Sequence, residues 1–308
     1  RRGTVLGIET TTLGNNIRLN IKPTDFKPGA FLFKACFGAG KKAEPASMPG
    51  LSLLASLAVQ KSGFGRITRD QLEEALSGKK VSASFGVNDN YFFVTGSGSP
   101  EDASIVFDIL VHYMMDPAVE KSALELAKTQ YRQEYEGLSR TVEGMMKIKG
   151  ERFLAGGDTR FGMTHPDIMD RYTIDDIRTL LWPALKNKQV EISFVGDIDP
   201  NEISQLAVDH LGGLPKRPAF PVNIAESTGV SFPEGQRLEL KVPTKIDTAL
   251  VHVAFLTDDF WDIMQTRQLS ILSRVFSERL RKVIREELGQ SYSPYVYNRP
   301  STTIKEYG

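Results

Sequence analysis

At 308 residues the chain is long enough for about two domains, and its 41% apolar and 25% charged residues are the balance of a globular protein with a substantial core. Lys plus Arg equal Asp plus Glu at 38 each, which excludes a global field that recruits nucleic acid or an anionic membrane. One cysteine, Cys36, excludes an intrachain disulfide, and no apolar run approaches the roughly 20 residues of a membrane span. The opening stretch from Arg1 to Leu6 lacks the apolar core of a secretion signal.

Ile17, Leu19 and Ile21 alternate with Arg18, Asn20 and Lys22, which predicts a half-buried strand entered through a turn at Gly14-Asn15. After Pro23 and Pro28, Phe31, Phe33, Ala35 and Phe37 predict a second strand. Cys36 alternates with Ala35 and Phe37 and reads as a buried, inert thiol rather than a nucleophile, with only Lys34 nearby to lower its pKa. A helix follows Gly50, with Leu51, Leu54, Ala55 and Ala58 at helical spacing, and 81–86 and 91–95 predict a hairpin turning at Asn88-Asp89. Ser99, Pro100, Glu101 and Asp102 mark a helix start. Further helices are expected over 117–137 and 141–155, then from Thr173 with Asp176 as its capping pair. A strand over 189–197 leads through Asp199-Pro200 to a helix carrying Ile203, Leu206, Ala207 and Leu211.

Gly212, Gly213, Pro215, Pro218, Pro221 and Pro233 interrupt all periodicity. Beyond them the opening pattern returns: Leu238, Leu240 and Val242 alternate, then Ala249, Val251, Val253 and Phe255, then a long helix runs from about 262 to 288. Two copies of one α+β unit are therefore expected, each an antiparallel or mixed sheet covered by helices. The first is expected over 1–215, a linker over 216–235, and a shorter, truncated copy over 236–308.

Two motifs invite other chemistry. Gly38-Ala39-Gly40-Lys41-Lys42 approaches a phosphate loop, but Ala35 and Lys42 stand where that loop needs its first glycine and its hydroxyl. Tyr91, Phe92 and Phe93 could stack bases, yet no basic residues surround them and a core strand explains them better.

The strand-turn-strand opening, Val195-Gly196-Asp197-Ile198-Asp199-Pro200, the exit Gly212-Gly213-Leu214-Pro215 and Arg285-Glu-Glu-Leu-Gly-Gln-Ser-Tyr292 together resemble the pitrilysin/insulinase family of zinc metallopeptidases. The resemblance implies paired halves, each of two α+β subdomains closing around a peptide, with H-x-x-E-H on a helix of one half. Two imidazoles one helical turn apart bind zinc there, and the Glu is the general base. Here Leu53, Ser56 and Leu57 occupy the His, Glu and His positions, so no metal site is expected. His112, His165, His210 and His252 are scattered, and Glu134, near the place of a third ligand, has no His partners. The resemblance thus implies the non-catalytic, C-terminal-type half, with no catalytic residue of its own and no bound cofactor, zinc being held by a partner half in the same polypeptide or another. It further implies that Arg285 and Tyr292 bind substrate carbonyls and stabilise an oxyanion. Gly289 suits this as a left-handed helix cap that folds Tyr292 back towards Arg285. A non-enzymatic peptide-binding or assembly module of the same fold is the alternative. Export of bacterial relatives inclines the reading towards the periplasm.

Overall fold

The computed structural model describes residues 2–3, 6–219 and 229–308. Among them, β1 (Arg2–Gly3), β2 (Ile8–Thr12), β3 (Arg18–Pro23), β4 (Phe31–Gly38), β5 (Val81–Val87), β6 (Tyr91–Gly98) and β7 (Val190–Gly196) form one sheet. Its order is β1-β2-β3-β7-β4-β6-β5. Neighbours are antiparallel except β3 and β7, which run parallel. The late strand β7 therefore inserts between β3 and β4, and its seven residues carry the helical first unit back onto the opening strands.

Alternation sorts the two faces. Leu19, Ile21, Phe31, Phe33, Phe37, Phe92, Val94, Ile192 and Phe194 are buried on one face, where Phe194 packs against Phe31 (ring centroids 5.6 Å) and Phe107 (5.1 Å). The other face carries Leu32, Lys34, Cys36, Tyr91 and Phe93, and Leu32 is 64% exposed. The triplet at 91–93 thus divides: Phe92 is core, while Tyr91 and Phe93 lie under the Lys34 ammonium at 5.1 and 4.6 Å.

Helices cover the buried face: α1 (Leu51–Gln60), α2 (Arg69–Ala75), α3 (Ala103–Met115), α4 (Lys121–Leu138), the single turns α5 (Val142–Met145), α6 (Glu151–Leu154) and α7 (Pro166–Met169), α8 (Ile174–Asn187) and α9 (Pro200–Leu211). The helix expected over 141–155 is continuous but widens into a π turn over Met146–Gly150. Thr173 and Asp176 form the anticipated capping box of α8. Ser99 behaves otherwise. Its hydroxyl donates to Asp102 (3.3 Å), a 3₁₀ turn occupies Pro100–Asp102, and α3 begins only at Ala103.

The stretches 238–242 and 249–255 alternate in sequence but form no ladder among the described residues, and Val251, Val253 and Phe255 are 71–84% exposed. A strand is stable only where a neighbour takes its amides; Leu240 and Val242 do pack against the core, but no described strand pairs with either segment. The long helix does form, as α10 (Ile263–Leu280) followed by a π-helical continuation over Arg281–Glu287. The segment after it is fastened to the first unit. Lys42 Nζ donates to the Thr303 carbonyl, Thr303 Oγ1 donates to Asp89 (3.1 Å), Arg299 pairs with Glu151 (3.5 Å), and Tyr307 meets Phe161 edge-on (5.7 Å).

Candidate functional site

Helix α1 is the helix on which the resemblance would place a metal motif. Its N-terminus is capped from outside by Glu44, whose carboxylate accepts from the Gly50 amide (2.7 Å), the Ser52 amide (2.8 Å) and the Ser52 hydroxyl. Ser56 is buried, and Leu53 and Leu57 pack against the core. Two butyl side chains and a buried hydroxyl offer no ligand set, so α1 does not fit a zinc ion. Among the described residues no group of three or more His, Cys, Asp or Glu could hold a metal.

Each histidine has a structural position instead. His112 stacks on Phe64 (5.4 Å), His165 Nδ1 accepts from the Asp167 amide at the start of α7 (3.3 Å), and His252 meets Tyr297 edge-on (6.2 Å). His210 of α9 bridges to α3, with Nδ1 3.0 Å from Asp108 and Nε2 3.2 Å from the Ser104 hydroxyl. That order of groups is the one a hydrolase relay uses, but Ser104 and Asp108 stand one turn apart on a single helix flank, and the arrangement pins α9 onto α3. Glu134 pairs with Lys147 (3.0 Å) on the surface.

The phosphate-loop motif has no free cradle. The amides of Ala39, Lys41 and Lys42 donate to the carbonyls of Asn90, Asn88 and Asp89, closing the loop onto the β5–β6 turn. Gly40 is required there: its φ is +52°, and a Cβ would lie 2.3 Å from the Tyr91 amide. A cleft of about 480 Å³ adjoins Lys149, Arg152, Phe153 and Pro233, where Arg152 donates to the carbonyls of Phe161 (3.0 Å) and Met163 (3.3 Å) and so braces its own loop.

Arg285 and Tyr292 are brought together. The helix ends in a π turn, with the Leu288 amide on the Val283 carbonyl (3.0 Å) and the Gln290 amide on Ile284 (3.0 Å). Gly289 takes φ +64°, the left-handed conformation that lets this closure form without a Cβ clash. The chain reverses, and the Arg285 guanidinium carbon sits 4.4 Å from the Tyr292 ring centroid. Tyr292 is 78% exposed. The neighbouring charges are taken up elsewhere. Arg281 bonds Glu278 (3.0 Å) and also Glu286, five residues on, a reach suited to the widened turn, and these bonds, that to Glu278 first, raise its pKa. A ring contact of this kind is made by the guanidinium's charge and leaves its N–H donors able to hold an oxygen ligand. Sequence reasoning did not anticipate the π turn or the Arg281 clamp; the spacing of Arg281 from Glu286 is uninformative on an ordinary α-helix.

The family profile of the Peptidase M16 inactive domain matches residues 172–307. The chain is 22% identical over 233 residues to the chloroplastic stromal processing peptidase of Oryza sativa subsp. indica, covering 74% of this chain and 19% of that protein. It is 21% identical over 296 residues to the probable zinc protease PqqL of Haemophilus influenzae, covering 91% and 30%. The chain thus spans about a fifth to a third of the length of these relatives. A peptidase M16 inactive domain from Pseudomonas fluorescens shares its fold at TM-score 0.71 and 16% identity, over 96% of this chain and 72% of that one. So does the ferredoxin protease FusC, solved in complex with Arabidopsis ferredoxin, at TM-score 0.68 and 15% identity, over 94% and 31%. The fold is the α+β lobe that these structures share, and α1 carries no His, Cys, Asp or Glu. Residues 172–307 thus match the Peptidase M16 inactive-domain family, and the chain as a whole shares the fold of such domains. No helix among the described residues is long and apolar enough to cross a membrane.

Proposed function

We propose that this chain acts as the supporting half of a zinc endopeptidase, closing one side of a peptide chamber whose zinc and nucleophilic water are held by a partner half. In this reading residues 1–215 and 236–308 are two related α+β subdomains joined by the linker 216–235, and Arg285 and Tyr292 reach the substrate. The observation that carries the reading is the exposed Arg285–Tyr292 contact at 4.4 Å, with no acidic partner on Arg285 among the described residues. Such a pair offers a permanent charge with a rigid donor fork beside one directed phenol donor, the equipment for holding a peptide carbonyl and a developing oxyanion. The uncovered face of the sheet, with Leu32, Tyr91 and Phe93, supports a wall against which an extended peptide can lie.

Mixing the chain with its H-x-x-E-H half and following cleavage of a quenched peptide tests this. Arg285→Ala and Tyr292→Phe are each expected to lower kcat/KM by about 10²-fold, the usual cost of one oxyanion donor. Unchanged cleavage in both variants would remove the proposed roles and leave the non-enzymatic module.

A further inference from the structure

The segment bearing Tyr292 leaves the helix at Gly289 and runs back along α10, and two fastenings define its path. Near its start is the closure already described, Gln290 N–H on the Ile284 carbonyl. At its far end a single side chain holds both backbone groups of one residue: the Ser277 hydroxyl accepts from Val296 N–H (2.7 Å) and donates to Val296 C=O (3.0 Å). Asn298 Nδ2 adds a bond to the Thr266 carbonyl (3.3 Å). Between Gln290 and Val296, the backbone of residues 291–295 makes no hydrogen bond to the described residues. Tyr292 therefore depends on the two ends for its place.

The lengths make that dependence strong. Along the helix, Ser277 and Ile284 lie about 10 Å apart at about 1.5 Å per residue, while the six residues from Gln290 to Val296 can reach about 20 Å when extended. A span with twofold slack bows outward, and the ring stays over the guanidinium only while both ends are held. A serine hydroxyl can serve as the Val296 partner because it donates and accepts at once; alanine does neither, and threonine retains both.

We propose that Ser277 is a positioning residue for the Arg285–Tyr292 pair, fixing the return segment so that Tyr292 is stacked on Arg285 before any peptide arrives. The proposal rests on the reading of that pair as peptide-contacting. The test is the rate at which phenylglyoxal modifies Arg285 in the full chain, mapped by mass spectrometry, together with amide exchange at Val296. Tyr292→Leu sets the rate of an unshielded guanidinium, and Ser277→Ala is expected to approach it, a rise of about two- to fivefold, with Val296 exchange accelerated. Ser277→Thr should restore the wild-type rate. Val296→Pro, which removes the N–H and keeps the hydroxyl, should act like Ser277→Ala and serves if that variant does not fold. Accelerated Val296 exchange with an unchanged Arg285 rate would overturn the positioning role. If the labelling result holds but Arg285→Ala and Tyr292→Phe leave peptide cleavage unaltered, the peptide-contacting reading falls and the positioning of the pair stands.

Discussion

Arg285 and Tyr292 are seven positions apart in sequence, and their proximity depends on one residue between them that can turn the chain. Gly289 supplies the left-handed φ, and the stack follows from the reversal. Their spacing and that glycine were readable from the sequence, whereas the clamp of Arg281 on Glu278 and Glu286 was not, because it needs the π turn. Cys36 shows the same division. Its strand was legible from alternation, but it is half-buried rather than buried, and its reactivity is set by neighbours. Burial is the main cause that pushes its thiol up to about 11 from the ordinary 9.0, with Glu191 adding and Lys34 and Tyr91 opposing. At about pH 8 the thiolate fraction should be about a hundredfold below that of an ordinary thiol, and alkylation by iodoacetamide correspondingly slow. Labelling of Cys36 in the folded protein as fast as in urea would contradict this.

Helix ends account for much of what local sequence could and could not say. The Thr173–Asp176 box was legible because both partners lie within one turn, and the bonds from the Thr173 amide and hydroxyl hold the Asp176 carboxyl below the usual carboxylate range. With the folded pKa depressed, the contribution is fully present above the unfolded value of about 3.9 and is lost as pH falls through the folded one. The Tm difference between wild type and Asp176→Asn should therefore shrink as pH is lowered from about 5 to about 3; a constant difference would show the bonds to be idle. The cap of α1 was not legible, since Glu44 lies outside any local capping pattern and the Pro45–Gly50 turn brings it back. Glu44→Ala should cost about 1–2 kcal/mol in denaturant unfolding, the range of a lost N-terminal cap.

Across the whole molecule, the first unit buries a continuous core and the second segment buries little. Only Thr266 and Ser273 are buried in α10, and Ile304 is the buried apolar residue near the end of the chain. The segment is tied instead through polar contacts at Lys42, Asp89 and Glu151 and the ring of Phe161. Regions with few buried apolar contacts open at low free energy. Hydrogen exchange over 299–308 should accordingly be faster than in β4 and β7, and Lys42→Met combined with Asp89→Ala should accelerate it further while leaving the sheet unchanged. Equal protection in both regions would mean that the segment is held by more than these contacts.

The sequence by itself determined β3 to β7 and the longer helices up to α9, through periods of two and of 3.6 residues, whereas β1, β2, α2 and α7 were not legible in it. It determined that α1 has no zinc ligands, because leucine and serine at those positions cannot bind the ion whatever the fold. It also carried the resemblance to the pitrilysin/insulinase family, through a handful of short motifs. Only the tertiary structure decided that β7 enters between β3 and β4, since strand order depends on which edges meet in space and alternation is blind to it. It decided, too, that the alternating stretches at 238–242 and 249–255 lie unpaired, because a strand is completed by its neighbours. And it decided that Ser277 holds Val296, a contact between residues 19 apart made possible by the reversal at Gly289.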